Sequence, residues 1–247
     1  MFGIAMMASA VEDLICARLG LKVRGVPWFP GNSFWAYLTG IALLAAGLSI
    51  VTNIRARLTA ALLGILFLCY VVLFEIAAVI ANPLNVSVRT VAFETLAMCG
   101  AALTLADTLP GDRFNKLTAS GPYLFGVSSI VFGIDHFLVL DIIASLVPAW
   151  LPWHLFWAYL TGAAFIAVGL SILTGWMDRL GATLLGMMFM LWFFTLHLPR
   201  SVIALRSHHP NLPDEWSSAF IALAMWGGSW ICAWHAQQRR SRFMLSS

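Results

Sequence analysis

The segment Phe34-Trp35-Ala36-Tyr37-Leu38-Thr39-Gly40 returns letter for letter as Phe156-Trp157-Ala158-Tyr159-Leu160-Thr161-Gly162, 122 residues later. Without gaps, residues 34–72 match residues 156–194 at 21 of 39 positions, more than two apolar segments of shared composition would reach. Duplication of that fidelity constrains the fold to two copies of one unit. The unit is apolar: 61% of the residues are hydrophobic, 10% are charged and the mean hydropathy is +0.87, against roughly 45–50% apolar and about 25% charged in soluble domains. The apolar runs are continuous and lack the alternation of barrel strands, so they read as transmembrane helices.

Eight spans are expected, at residues 2–21, 34–52, 57–81, 89–107, 122–146, 155–174, 179–199 and 215–236. They form two sets of four: a first repeat over 1–107, a polar linker over 108–121 carrying the Pro110-Gly111 turn signal, a second repeat over 122–236 and a basic tail over 237–247. The expected fold class is all-α, a polytopic membrane protein of two parallel four-helix bundle repeats. They are parallel because an even number of spans returns the chain to the same side. With both termini cytoplasmic, Arg55, Arg57, Arg113, Lys116, Arg179, Arg239, Arg240 and Arg242 lie inside, against Lys22, Arg24, Arg89, Arg200 and Arg206 outside, as the positive-inside rule favours. The chain is thus expected in the cytoplasmic membrane, with the Pro/Trp-rich connections 26–30 and 147–153 at outer headgroup depth. No basic region precedes the first apolar run, so no removable signal peptide is expected.

The first span departs from its copy. Phe2-Gly3-Ile4 echoes Phe132-Gly133-Ile134, a register that sets Met6 opposite His136; in it the helix has lost its inner half or the start codon is placed late. Glu12, Asp13 and Arg18 weaken it further as a spanning segment. Gly40, Ala46 and Gly47, repeated as Gly162 and Gly169, predict close helix contact, which small residues permit where lipid supplies little hydrophobic force between helices. Cys16, Cys69, Cys99 and Cys232 stand singly, with neither the C-x-x-C of a thiol relay nor metal spacing. His208-His209 has no third ligand beside it, so no metal site is expected. A net charge of +3 calls for no nucleic-acid partner.

Ionisable side chains are costly in a bilayer unless paired or facing a cavity, which makes each a candidate for function. They gather in the outer half. At 1.5 Å per residue, His136 lies roughly 21 Å above Pro122, His197 roughly 27 Å above Arg179, and Glu94 about 7 Å below the outer end of its helix. Glu75 takes in the first repeat the place of His197 in the second. An outer-leaflet polar pocket is therefore expected from His136, His197, Arg200, Tyr159, Trp157, Asp135, Glu215, Glu75 and Glu94, with Tyr37 at the same level. Three readings of the two histidines stand open. They are axial haem ligands, which a depth offset of roughly 6 Å disfavours; hydrogen-bond and proton groups facing a quinone or similar substrate; or groups that satisfy neighbouring polar atoms and fix helix register. His197-Leu198-Pro199-Arg200 predicts a helix that ends or kinks and frees carbonyls beside a cation. Arg200 then pairs with Glu215 or binds an anion.

Phe132-Gly133-Ile134-Asp135-His136-Phe137, Val147-Pro148 with Trp150 and Pro152, Phe156-Trp157-Ala158-Tyr159 and Leu196-His197-Leu198-Pro199-Arg200 together resemble the DoxX/DoxD-like membrane proteins. The resemblance covers about 122–236 and, more weakly, about 26–107. It implies a four-helix membrane unit and an association with redox chemistry, because the family name derives from a subunit of a thiosulfate:quinone oxidoreductase. Glu75 in place of His197 and the missing Pro-Arg pair mark the first repeat as a degenerate half and put the expected site in the second. Three functions are consistent with these features. One is a membrane component of a quinone- or sulfur/thiol-linked redox system, with quinone as ligand. Another is a non-enzymatic scaffold or assembly subunit whose aromatic outer rim meets partner subunits within the bilayer. The third is a small-molecule transporter, disfavoured by scarce buried charge and by the lack of helices broken at mid-depth. No nucleophile with its base, phosphate loop or metal motif is present, so the chain is expected at most as the membrane subunit of an oxidoreductase.

Overall fold

The computed structural model describes residues 1–19, 32–111, 116–207 and 212–246; these are almost wholly helical, with no strand among them. In chain order the helices are α1 (Phe2–Leu19), α2 (Asn32–Thr52), α3 (Ala56–Ala81), α4 (Val86–Thr108), α5 (Lys116–Leu138), the short α6 (Leu140–Leu146), α7 (His154–Thr174), α8 (Asp178–Arg206) and α9 (Leu212–Ser246). Six of them, α2, α3, α4, α5, α7 and α8, are long and apolar enough to cross a membrane. Their outward faces carry large exposed apolar side chains such as Ile41, Leu62, Leu73, Leu170, Leu184 and Leu191, the surface a bilayer solvates. Lys22, Arg24, the 26–30 connection, Arg113 and His208-His209 lie outside the described residues.

Three expected boundaries move. The span expected over 122–146 breaks at Val139, whose backbone leaves the helical region (φ −124°, ψ 42°); Asp141 in the first turn of α6 suits a new helix start, where the dipole favours a carboxylate. The linker expected over 108–121 is helical from Lys116, so the polar stretch is shorter than composition implied. The residues expected as a basic tail continue α9 to Ser246, and Arg239 and Arg240 both donate to Asp178 at the start of α8. Asp178 is 4% exposed and sits in the first turn of its helix, between its two arginine partners. Asp178→Ala is expected to lower stability by about 1–2 kcal/mol, read as a lower unfolding midpoint in mixed micelles.

Helix contacts recur along the chain. α1 lies along α2 as α5 lies along α7, and α3 packs on α4 as α8 packs on α9; α4 then meets α5, and α9 meets both α1 and α4. Backbone detail recurs as well. Asn53 and Arg55 turn the chain from α2 to α3 with φ of 58° and 54°, and Gly175 and Met177 do the same from α7 to α8 with 75° and 54°. α3 and α8 are each interrupted by one π-helical turn, at Val71–Glu75 and at Phe193–His197. Hence α8 neither ends nor stops at Pro199. The wide turn just ahead of the proline reroutes the ladder, with the Leu198 amide reaching Phe193 O, five residues back. The π turn of α3 forms with no proline in it, so a proline is not required for such a turn.

Glycines set the register of the α1–α2 and α5–α7 crossings. A Cβ on Gly47 would stand 2.5 Å from the carbonyl oxygen of Gly3, and one on Gly169 would stand 2.6 Å from that of Gly126. Because Gly47 and Gly169 are copies, Gly3 corresponds to Gly126, and Ala10, which faces Gly40, corresponds to Gly133, which faces Gly162. The register drawn from Phe-Gly-Ile is therefore replaced. It is Asp13, not Met6, that stands at the counterpart of His136, and Phe2 matches Phe125, both buried in the core. Some hydroxyls inside the bundle are satisfied within their own helices, as in Ser128 to Leu124 O (2.9 Å) and Ser229 to Met225 O (2.7 Å).

Candidate functional site

Roughly 28 Å along α8 from Asp178, the bundle encloses a cavity of ≈ 460 Å³ lined by α5, α7, α8 and α9, with Val86, Thr90 and Glu94 contributed by α4. The α6–α7 connection covers it with Pro148, Trp150 and Leu151. Most of the lining is apolar, including Phe165, Phe189 and Trp192; Asp135, His136 and His197 supply titratable groups, and Glu94 a further one. His136 is held on three sides. Its Nδ1 donates to Phe132 O (2.7 Å), its ring stacks on Trp192 with centroids 6.0 Å apart and planes at 11°, and Phe165 lies 5.0 Å away. A carbonyl only accepts, so Nδ1 carries the hydrogen and Nε2 of the neutral ring is an acceptor. Asp135, 4% exposed, receives Arg89 Nε at 2.7 Å, a still closer contact from the same guanidinium and Thr90 Oγ1 at 3.0 Å. Its charge is matched before it reaches the cavity.

A second cavity, of ≈ 120 Å³, lies between α1, α2, α3 and α4 with Ser217 and Ile221 from α9. Several of its lining residues fall on sequence positions aligned with lining residues of the first. Asp13 stands for His136, Tyr70 for Trp192, Glu75 for His197 and Thr39 for Thr161. The contact between Thr90 and Asp135 recurs as Ser217 Oγ donating to Glu12 Oε1 (2.5 Å). Glu94 and Ile221 line both cavities, which meet there. Glu75 is 7% exposed; Thr95 Oγ1 donates to its Oε1 at 2.7 Å, while its Oε2 is buried without a hydrogen-bond partner.

The single polar pocket expected from the sequence is thus divided. His136, His197, Asp135 and Trp157 line the larger cavity, Glu75 lines the smaller, and Glu94 lines both. Trp157 Nε1 donates to Pro152 O (3.0 Å), tying the helix start to the covering connection. Arg200 and Glu215 form a two-pronged pair, Nε to Oε2 at 2.9 Å and Nη2 to Oε1 at 2.6 Å, and belong to neither lining. Tyr159 and Tyr37, 52% and 40% exposed, also stand outside both. Sequence reasoning missed Glu12, Asp13, Tyr70, Arg89, Thr90 and Trp192. Aligning Gly3 and Ala10 with Gly126 and Gly133 would have found the first two, since that register puts Glu12-Asp13 opposite Asp135-His136. Where the larger cavity has His136 and His197, the smaller has Asp13 and Glu75 at the aligned positions.

A protein family described as a domain of unknown function (DUF8561) matches residues 125–225. That stretch contains every lining residue of the larger cavity except the three from α4. No curated protein and no solved structure matches the chain.

Proposed function

We propose that the chain is a cytoplasmic-membrane protein of two parallel four-helix repeats whose larger cavity binds a lipophilic molecule with a polar head, of the quinone/quinol class, as the membrane component of a redox system. The recurring helix contacts and π turns support the repeat reading, with α1 and α9 counted among eight spans. One observation carries the ligand reading: His136 and His197 line the same ≈ 460 Å³ cavity, whose other walls are mainly aliphatic and aromatic. Apolar walls with few convergent polar groups are the usual form of a ligand site, and imidazoles are suited to exchange the protons that quinone chemistry moves. The tautomer of His136 sharpens the choice. An accepting Nε2 pairs with a hydroxyl, so the neutral ring favours the quinol over the quinone. The site's part is then binding and proton acceptance, and electron transfer falls to a partner subunit, in keeping with the resemblance to DoxX/DoxD-like proteins.

The test is titration of the purified chain in nanodiscs with a short-chain quinone or quinol, followed through quenching of tryptophans such as Trp192 and Trp150. Saturable binding, weakened at least tenfold in the His136→Ala, His197→Ala double variant, is expected. Absence of saturable binding, or equal affinity in the variant, would remove the quinone reading and leave the scaffold one. A transporter gains support from a different feature: two cavities of contrasting chemistry meet at Glu94, and both π turns interrupt helices beside them.

A further inference from the structure

We propose that the smaller cavity is a binding site for a small organic cation, an alkylammonium or guanidinium group on a short apolar body. The site is built by α1, α3 and α4, which bring Glu12, Asp13, Glu75 and Glu94 to one cavity with no lysine or arginine among its described lining residues. Acidic residues alone would not make a site. What points to a ligand is Glu75, 93% buried by area, with Oε1 satisfied by Thr95 and Oε2 left with no partner. A buried carboxylate oxygen is strongly disfavoured unless a donor meets it, and the donor supplied here would come from whatever fills the cavity.

The chemistry of the walls selects the class of occupant. Among the described residues no three metal-binding side chains come close enough together to hold a metal ion, so the carboxylates are spread around the cavity instead of converging on one point. Separated acceptors suit a cation with several N–H groups more than a bare ion. Met6, Leu43, Leu66 and Met98 give an apolar wall for the body of the ligand, and Phe67 with Tyr70 presents aromatic rings that attract a cation. At ≈ 120 Å³ the space is a little smaller than the engineered cavity of about 150 Å³ that holds benzene. That bounds the ligand to a handful of heavy atoms. The larger cavity lacks this character at the aligned positions: His136 replaces Asp13 and His197 replaces Glu75.

The experiment uses the full chain in nanodiscs and follows its unfolding temperature with n-butylammonium chloride, with sodium chloride at equal ionic strength and with 1-butanol. Butylammonium is expected to raise the midpoint in a saturable way, and sodium chloride and butanol are not. Glu75→Gln, which keeps the shape and removes the charge, is expected to weaken butylammonium binding at least tenfold; Asp13→Asn serves as the second variant should Glu75→Gln not fold. The His136→Ala, His197→Ala double variant should keep the response, which separates this site from the quinone cavity. No response to butylammonium, an equal response to sodium, or a response unchanged in the carboxylate variants overturns the proposal.

Discussion

Arg89→Ala is expected to lose about 3–5 kcal/mol of stability, seen as a large drop in the unfolding midpoint of the chain in mixed micelles. The substitution strands Asp135, which is 4% exposed and takes two contacts from the Arg89 guanidinium and one from Thr90. Most of the loss is the cost of a carboxylate left without its counter-charge in an apolar bundle, since the pair itself contributes little net stability against well-packed apolar residues. The double variant Arg89→Met, Asp135→Leu is therefore expected to recover most of the stability. A single variant as stable as the parent would show that Asp135 is not buried at an α4–α5 contact as described. A double variant no better than the single would show that the pair contributes more than mutual neutralisation.

A comparable effect is expected at the α5–α7 crossing. A Cβ on Gly169 would meet Gly126 O at 2.6 Å and Ile130 Cγ1 at 2.5 Å, and the first of these is backbone that cannot rotate away. Gly169→Ala is thus expected to cost about 1–3 kcal/mol, the range for overpacking. The reciprocal change differs. A Cβ on Gly126 would lie 3.2 Å from Gly169 O and from Leu173, contacts that a shift of a few tenths of an ångström relieves. Alanine also gains about 0.5–1 kcal/mol over glycine inside a helix, so Gly126→Ala should be close to neutral. Equal effects of the two substitutions would contradict the asymmetric crossing; the comparison needs only thermal unfolding of two single variants.

Much of this was legible before any coordinates. Of the eight spans expected, six are helices long and apolar enough to cross a membrane among the described residues, because a run of about 20 apolar residues leaves the backbone no hydrogen-bond partners in lipid except its own; α1 and α9 are not among the six. The small-residue stripe of α2 and α7 was legible for a similar reason, since residues without bulk mark where helices approach. The repeated Phe-Trp-Ala-Tyr segment proved to be mixed in role. Ala36 and Ala158 are buried, Phe34, Tyr37, Phe156 and Tyr159 face outward, and only Thr39, Trp157 and Thr161 reach a cavity.

The register of the first helix was not legible. Phe2-Gly3-Ile4 and Phe132-Gly133-Ile134 look alike as letters, yet helix contact is decided by which glycine clears which backbone, and that criterion pairs Gly3 with Gly126. The difference of two helical turns moved Asp13 from an unexplained charge to the counterpart of His136. Likewise, the π turns give no sign in an apolar run, because the extra residue they accommodate changes the facing of side chains without changing composition. The sequence by itself determined a helical chain with segments long and apolar enough to cross a membrane, and it carries the repeated segment of residues 34–40, since periodicity and transfer free energy act on local segments. Only the tertiary structure decided that Asp135, His136 and His197 line one cavity and Glu12, Asp13 and Glu75 another, with Glu94 lining both, because which charges share a space depends on contacts between helices far apart in the chain.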